Sequence, residues 1–286
     1  MMALQDARMQ PQEFADHHLP ALEANEVRHN LLLWIVSRML AGVPDVRFWT
    51  LGAPGQCAVQ TPPRPILLGD LDEAQCHHLA EQTLDLDYQG VVGPDGTAGW
   101  FAERAGQLGV KFLAPIPQQI HALEAAPDYP GAPGRAFLVG NDHASLFADW
   151  ILAFTREATP HDPIPDRAQV MRSAGDGRYM FWVVDDEPVA MAGIVRRTRH
   201  AAAIAGVYTP PPLRGRGYGG SVTAAVAELA FSQGKSTVCL YTDLRNPASN
   251  RCYARIGFRP VCASWHYPRA LRTLPAWSGL APDMSD

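Results

Sequence analysis

The chain has 286 residues, 47% of them apolar and 19% charged, and a formal net charge of −5. That length favours two domains, each able to bury a core, and the composition is that of a soluble globular protein. The acidic balance argues against a general nucleic-acid binder, and no apolar run approaches the roughly 20 residues that cross a bilayer. The start, Met1 to His18, is polar, with acidic and histidine residues, and reads unlike a secretory leader. Cys57, Cys76, Cys239, Cys252 and Cys262 are odd in number, scattered, and lack Cys-x-x-Cys or Cys/His ligand spacing. Reduced thiols in a cytoplasmic protein are expected, with no metal, nucleic-acid or membrane partner.

Residues 1–20 read as a loose arm or a short helix. From Leu22 to Leu40 apolar residues recur at helical spacing, which predicts one helix. Val46–Leu51, Gln56–Gln60 and Ile66–Leu68 are short strand-like runs cut by Gly and Pro. Helices are expected at Asp72–Leu86 and Thr97–Leu108, and strands at Gly90–Gly93 and Val110–Leu113. Between Pro115 and Pro133 five prolines exclude a helix interior. The domain connection is placed there, with an extended segment at Gln118–Leu123.

The second half reads more cleanly. Ala136–Val139 is a strand, and Asn141 or Asp142 is an N-cap for a helix running to about Glu157. Pro165–Ala174 is a second helix. Arg178–Val184 and Val189–Arg197 are strands joined by a turn at 185–188, and Ala201–Thr209 is a third strand. A helix over 219–233 carries Val222, Val226 and Leu229 on one stripe. Thr237–Thr242 is a strand, Pro247–Ile256 a helix closed by Gly257, and Phe258–Tyr267 one or two strands. The order β-α-α-β-β-β-α-β-α-β predicts a mixed α/β fold with a mostly antiparallel sheet flanked by helices.

Leu213-Arg-Gly-Arg-Gly-Tyr-Gly-Gly220 lies between Thr209-Pro-Pro-Pro212 and that helix. Glycines let the backbone approach a ligand closely, and a helix entrance offers orphan N–H donors, so the stretch suits an anion such as a phosphate. Gly215-x-Gly217-x-x-Gly220 formally matches the dinucleotide fingerprint, and Asp243 closes the next strand. That fingerprint needs its first glycine directly after a strand, whereas five residues, three of them proline, separate Thr209 from Gly215. Only 43 residues follow Asp243, too few for a second mononucleotide half. A dinucleotide-binding protein is therefore a minor alternative.

Arg214-x-x-Gly217-x-Gly219 resembles the (Gln/Arg)-x-x-Gly-x-(Gly/Ala) loop of the GCN5-related N-acetyltransferase (GNAT) family. Asn246, seven residues before Tyr253, and Tyr253-Ala-Arg-Ile-Gly257-Phe258 resemble that family's Asn…Tyr-x-x-x-Gly-Phe segment. The resemblance covers roughly residues 136–267 and implies the acyl-CoA N-acyltransferase fold, with acetyl-CoA as co-substrate. It implies that the amides of Gly215, Arg216, Gly217, Tyr218, Gly219 and Gly220 take the pyrophosphate. Arg214 and Arg216 either touch phosphate oxygens or lie on a solvated loop face. Val207 and Thr209 would hold the pantetheine arm from a splayed strand edge, and Asn246 and Ser249 would contact the same arm. Asn246 equally suits an N-cap before Pro247, and both roles are compatible. Tyr253 would protonate the departing thiolate, the alternative being a merely packed aromatic. The base is open among His200, Asp243, a water relay and an acid from the first half.

Val59-Gln-Thr61-Pro62-Pro63 echoes Val207-Tyr-Thr209-Pro210-Pro211, 148 residues later. Phe101-Ala102 then corresponds in order to Tyr253-Ala254. A duplication would make residues 21–114 a degenerate GNAT-like domain, with 115–134 the connection, 135–268 the acetyl-CoA-binding domain and 269–286 a tail. The first copy lacks the glycine loop and the tyrosine. The expected activity is acetyl transfer to a small-molecule or peptide amine by direct attack in a ternary complex, the chain being a monomer or homodimer. A non-catalytic acyl-CoA-binding module is the alternative.

Overall fold

The computed structural model describes residues 9–270. The expected tail beyond Ala270 and the arm before Met9 lie outside the described residues. From Pro11 onward the expected loose arm is helix α1 (Pro11–Glu23), which buries Phe14, Ala15, His18 and Leu22. Helix α2 (Asn30–Leu40) follows, so the single helix expected over 22–40 is broken. The break lies where three side chains reach distant partners. Glu26 accepts hydrogen bonds from the amides of His200 and Ala201, while Arg28 and His29 both bind Asp70. The two bonds to the shielded Glu26 carboxylate contribute about 1.5–3 kcal/mol each, and the solvent-screened pairing of Asp70 adds about 0–1 kcal/mol, more than a few continued helical residues.

Strands β1 (Arg47–Thr50), β2 (Cys57–Gln60) and β3 (Ile66–Leu68) precede helix α3 (Glu73–Gln82). Asp72 and Gln75 cap α3 reciprocally, each side chain bonding the other's backbone amide. Strand β4 (Gly90–Pro94), helix α4 (Thr97–Gln107) and strand β5 (Ile116–Leu123) complete this half. The strand expected at 110–113 is absent; Phe112 makes only an isolated bridge to Arg269.

The second half runs β6 (Arg135–Leu138), α5 (Ala144–Ala158), α6 (Arg167–Arg172), β7 (Tyr179–Val184), β8 (Glu187–Arg197) and β9 (Ala201–Tyr208). It continues with α7 (Tyr218–Ser232), β10 (Thr237–Asp243), α8 (Pro247–Ile256) and β11 (Arg259–Pro268). Asn141 and Asp142, expected as an N-cap, belong to a 3-10 turn, and α5 starts at Ala144. The β7–β8 hairpin turns on Asp185 and Asp186, with φ of 48° and 63°. Mirror-image turns of this kind match the strand twist, and Pro188 enters the strand.

The eleven strands of the described residues form one sheet in the order β1-β2-β3-β4-β11-β5-β10-β9-β8-β7-β6. The two central strands are exchanged. β11, from the chain's C-terminal half, lies beside β4, and β5, at the end of the first half, lies beside β10. The segment expected as a connection thus contributes a central strand. Each exchanged strand follows the last helix of its own half, so the halves are related by a pseudo-twofold at the β5–β11 pair. Helices α1, α2, α5 and α6 cover one face of the sheet, and α3, α4, α7 and α8 the other. This mixed, mostly antiparallel sheet between helices is a tandem arrangement of one fold. Among the described residues no helix is long and apolar enough to cross a membrane.

Candidate active site

β9 and β10 are parallel neighbours only from Ala201/Thr237 to Ile204/Leu240. β9 continues to Tyr208, bonded to β8, and β10 continues to Asp243, bonded to β5. The strands therefore part beyond Leu240 and leave a wedge-shaped gap. Register shifts in the β8–β9 ladder, with Gly206 at φ 66°, bend β9 away from β10. Val207 lies on the part of β9 that has no partner in β10.

Thr209 then leads through a 3-10 turn at Pro211–Leu213 into α7. Gly217 caps that helix in the left-handed conformation at φ 85° and offers no side chain to its first turn. The amides of Gly217, Tyr218, Gly219 and Gly220 have no hydrogen-bond acceptor among the described residues. Four orphan donors stand at the positive end of a 15-residue helix, an arrangement whose chemistry favours an anion. Gly215 has φ 78° and open space where a Cβ would stand, whereas a Cβ on Gly219 would touch the Thr209 hydroxyl and Val207. The four amides and the open space at Gly215 suit a pyrophosphate.

The two arginines differ. Arg214 donates from Nε to the Thr209 carbonyl (2.8 Å) and from Nη2 to Glu157 at the end of α5 (2.5 Å). These bonds neutralise its guanidinium and pin the loop to α5. Arg216 is exposed, with one long bond to the Pro212 carbonyl.

Asn246 is the N-cap of α8: its side-chain oxygen accepts from the Ser249 amide at 3.1 Å, with Pro247 at the first helical position. Ser249 is half-buried on the same turn. Tyr253, two turns on, is 9% exposed and packs in the core shared by α7, α8 and the sheet. Its hydroxyl has no hydrogen-bond partner among the described residues. Burial, and secondarily Cys252, pushes the phenol pKa well above its usual value. Such a phenol keeps its proton at neutral pH and is unsuited to act as a base.

Both named base candidates are engaged by other side chains. His200 sits at the far end of β9 from the gap, with its ring bonded to Glu26. The Asp243 carboxylate bonds the side chain and amide of Arg245, which holds its pKa low. Several residues at the gap carried no sequence signal. Tyr129, from the segment between β5 and β6, places its hydroxyl 2.6 Å from where a Gly220 Cβ would stand, against α7 and α8. Ala132 donates from its amide to Ser221 on the same helix (2.7 Å). Glycines inside strands, at 193 and 206, were the legible trace of Tyr179, which crosses both.

In the first half, β2 ends at the matching place, but β3 fills the gap. It pairs antiparallel with β2 at Ala58/Leu68 and parallel with β4 at Ile66/Val91. Phe101 is fully buried on α4, the helix that corresponds to α8. No pyrophosphate loop or wedge exists there.

Residues 144–258 match the model of the acetyltransferase (GNAT) family, so the second half carries a GNAT domain. Solved structures resemble nearly the whole chain. A Drosophila protein superposes with a TM-score of 0.67 at 14% identity, over 91% of this chain and 97% of that one. A GCN5-related N-acetyltransferase from Kribbella flavida gives 0.55 at 21% identity, over 85% and 96%. A tandem GNAT protein from the clavulanic acid biosynthesis pathway gives 0.50 at 14%, over 83% and 87%. At these identities the likeness is one of fold, and it extends to the N-terminal half. No protein of curated function matches the chain by sequence.

Proposed function

We propose that the chain is an acetyl-CoA-dependent N-acetyltransferase with one active site, in its second half. The observation that carries this reading is the row of four unbonded amides at Gly217–Gly220, opening beside the β9–β10 gap with the Tyr253 phenol on the adjoining helix. The amides hold the pyrophosphate, and the free edge of β9 pairs with the pantetheine arm as an added strand would. The acetyl thioester then lies in the gap, reachable from the face covered by α2 and α5. An alkylammonium has a pKa near 10 and must lose its proton before attack. With Asp243 and His200 engaged elsewhere, that proton leaves through water in the cleft. The neutral amine adds to the thioester carbonyl, the adduct's nitrogen releases its extra proton to cleft water, from which Tyr253 is reprotonated, and the tetrahedral adduct collapses to the amide. Tyr253 donates its hydroxyl proton to the departing sulfur. The first half, with its gap closed by β3, binds no donor and serves as a wall.

Calorimetry with acetyl-CoA, followed by thiol release with a panel of amines, tests the reading. Tyr253→Phe is expected to keep the affinity within about twofold and to lower turnover by about 10²- to 10⁴-fold, the usual contribution of a positioned acid. Binding without any thiol release would instead favour a non-catalytic acyl-CoA-binding module. Absence of binding would refute both.

A further inference from the structure

On the face of the sheet opposite α7 and α8, four side chains converge where β9 and β10 part. Tyr179 of β7 lies across two glycines. A Cβ on Gly193 would fall 2.3 Å from its ring, and one on Gly206 would fall 3.1 Å from Cε1 and 3.6 Å from the hydroxyl. The ring thus spans β8 and β9 and brings its hydroxyl to Gly206, among the first β9 residues without a partner in β10. Phe147 of α5 packs against it at 4.8 Å between centroids. Tyr241 of β10 stands on the other side of the gap.

Arg196 of β8 reaches Tyr241 and α2. Its Nε donates to Oδ1 of Asn30 at 3.1 Å, and its guanidinium carbon lies 5.5 Å from the centre of the Tyr241 ring. Asn30, 1% exposed in the first turn of α2, is itself fixed, since its amide nitrogen donates to the Val27 carbonyl and to the Tyr241 hydroxyl. No carboxylate lies within 4.0 Å of the Arg196 guanidinium among the described residues, and neither Nη atom has an acceptor. Around the same gap, Arg28, Arg214 and Arg245 are each neutralised by Asp70, Glu157 and Asp243. Arg196 is instead a half-buried cation, oriented by a neutral amide and an aromatic face, with its outer fork open. A charge withdrawn from water calls for a counterion, and a planar guanidinium fork matches a carboxylate.

We propose that Tyr179, Arg196, Asn30 and Tyr241 form the acceptor subsite, and that it selects amines bearing a carboxylate. This rests on the acetyl-transfer reading above. The fork of Arg196 takes the carboxylate, the two tyrosines flank the body of the acceptor, and the amine faces the thioester in the gap. Arg196 is paired with Ala203, one residue short of the last β9–β10 pair at Ile204/Leu240. The backbone of Arg196 is thus one residue from the end of the β9–β10 pairing, so a fork beside the gap suits an acceptor whose carboxylate lies close to its amine, as in a free amino acid. Asn30 belongs to the first half, which makes the acceptor subsite incomplete without it.

The test uses the full chain, acetyl-CoA at saturation, and a panel of free amino acids beside their primary amides and simple alkylamines. Thiol release is expected to favour the free acid over its amide by at least tenfold in kcat/KM. Arg196→Gln is expected to bring that ratio to about one, with acetyl-CoA calorimetry reporting that the variant is folded. Amides accepted as well as acids, discrimination that survives in R196Q, or turnover of alkylamines alone would overturn the proposal and leave acetyl transfer standing. Acetyl-CoA binding with no acceptor turned over would overturn both the proposal and the transferase reading. Absence of acetyl-CoA binding would overturn the donor site itself.

Discussion

Gly193→Ala isolates the bed on which Tyr179 lies. The new methyl would meet Cδ1, Cε1 and Cγ of that ring at 2.3, 2.5 and 2.6 Å. Carbon atoms rest at about 3.5–4.0 Å, so the overlap exceeds about 1 Å on three atoms at once and the ring must leave its place. Phe147 blocks a simple lift away from the sheet. Overpacking of this kind costs about 1–3 kcal/mol, against about 0.5–1 kcal/mol gained by removing a strand glycine. The expected net loss is about 1–2 kcal/mol, or a fall of roughly 2–4 °C in Tm for each kcal/mol. In a Tyr179→Ala background the methyl has room, and the same change is expected to stabilise by about 0.5–1 kcal/mol. A double-mutant cycle read by urea unfolding should therefore show a coupling of about 1–3 kcal/mol between the two positions. Equal effects of Gly193→Ala in the two backgrounds would refute the placement of the ring.

Two further outcomes follow from the geometry. Gly217→Ala puts a side chain at φ 85°, where Ala132 is only in ordinary contact at 3.5 Å, so its cost is conformational, about 1–2 kcal/mol. The helix entrance should relax and acetyl-CoA bind several-fold more weakly by calorimetry; unchanged affinity would contradict the pyrophosphate site. Burial, and then His17, brings the His18 pKa down to about 4, and burial, and then His161, does the same for His266. The unfolded chain takes up these protons near pH 6.5, the native state only near 4. Stability should therefore fall as pH drops through that window, by at most about 1.4 kcal/mol per pH unit for each histidine. Urea midpoints that stay constant from pH 7 to 4.5 would contradict the neutral, buried state of both rings.

Legibility in the sequence tracked the range of the interactions. The hairpin at Asp185-Asp186, the Gly217 entrance to α7, the Asn246 cap and the Gly257 stop are set by contacts within a few residues, and local pattern suffices to place them. Element order in the second half, and the pairing of a glycine loop with Asn246 and Tyr253, were readable for the same reason. The break between α1 and α2 was not, because it answers to Asp70 and to the start of β9, about 40 and 175 residues away.

Tertiary structure alone decided which strands part and which are filled. Ile66–Leu68 reads as a strand in isolation, but only its insertion between β2 and β4 closes the first half, just as only the missing partner beyond Ile204 opens the second. Tyr179, Arg196, Tyr241 and Asn30 share no spacing or motif. Three strands and a helix from the other half bring them together, through β-pairing and through Asn30 bonding across 166 residues to Arg196. The proposed donor site is therefore legible in the chain itself, because its loop and helix entrance are continuous in sequence. The proposed acceptor side takes form only once the sheet is assembled, because its chemistry lies in contacts between distant residues.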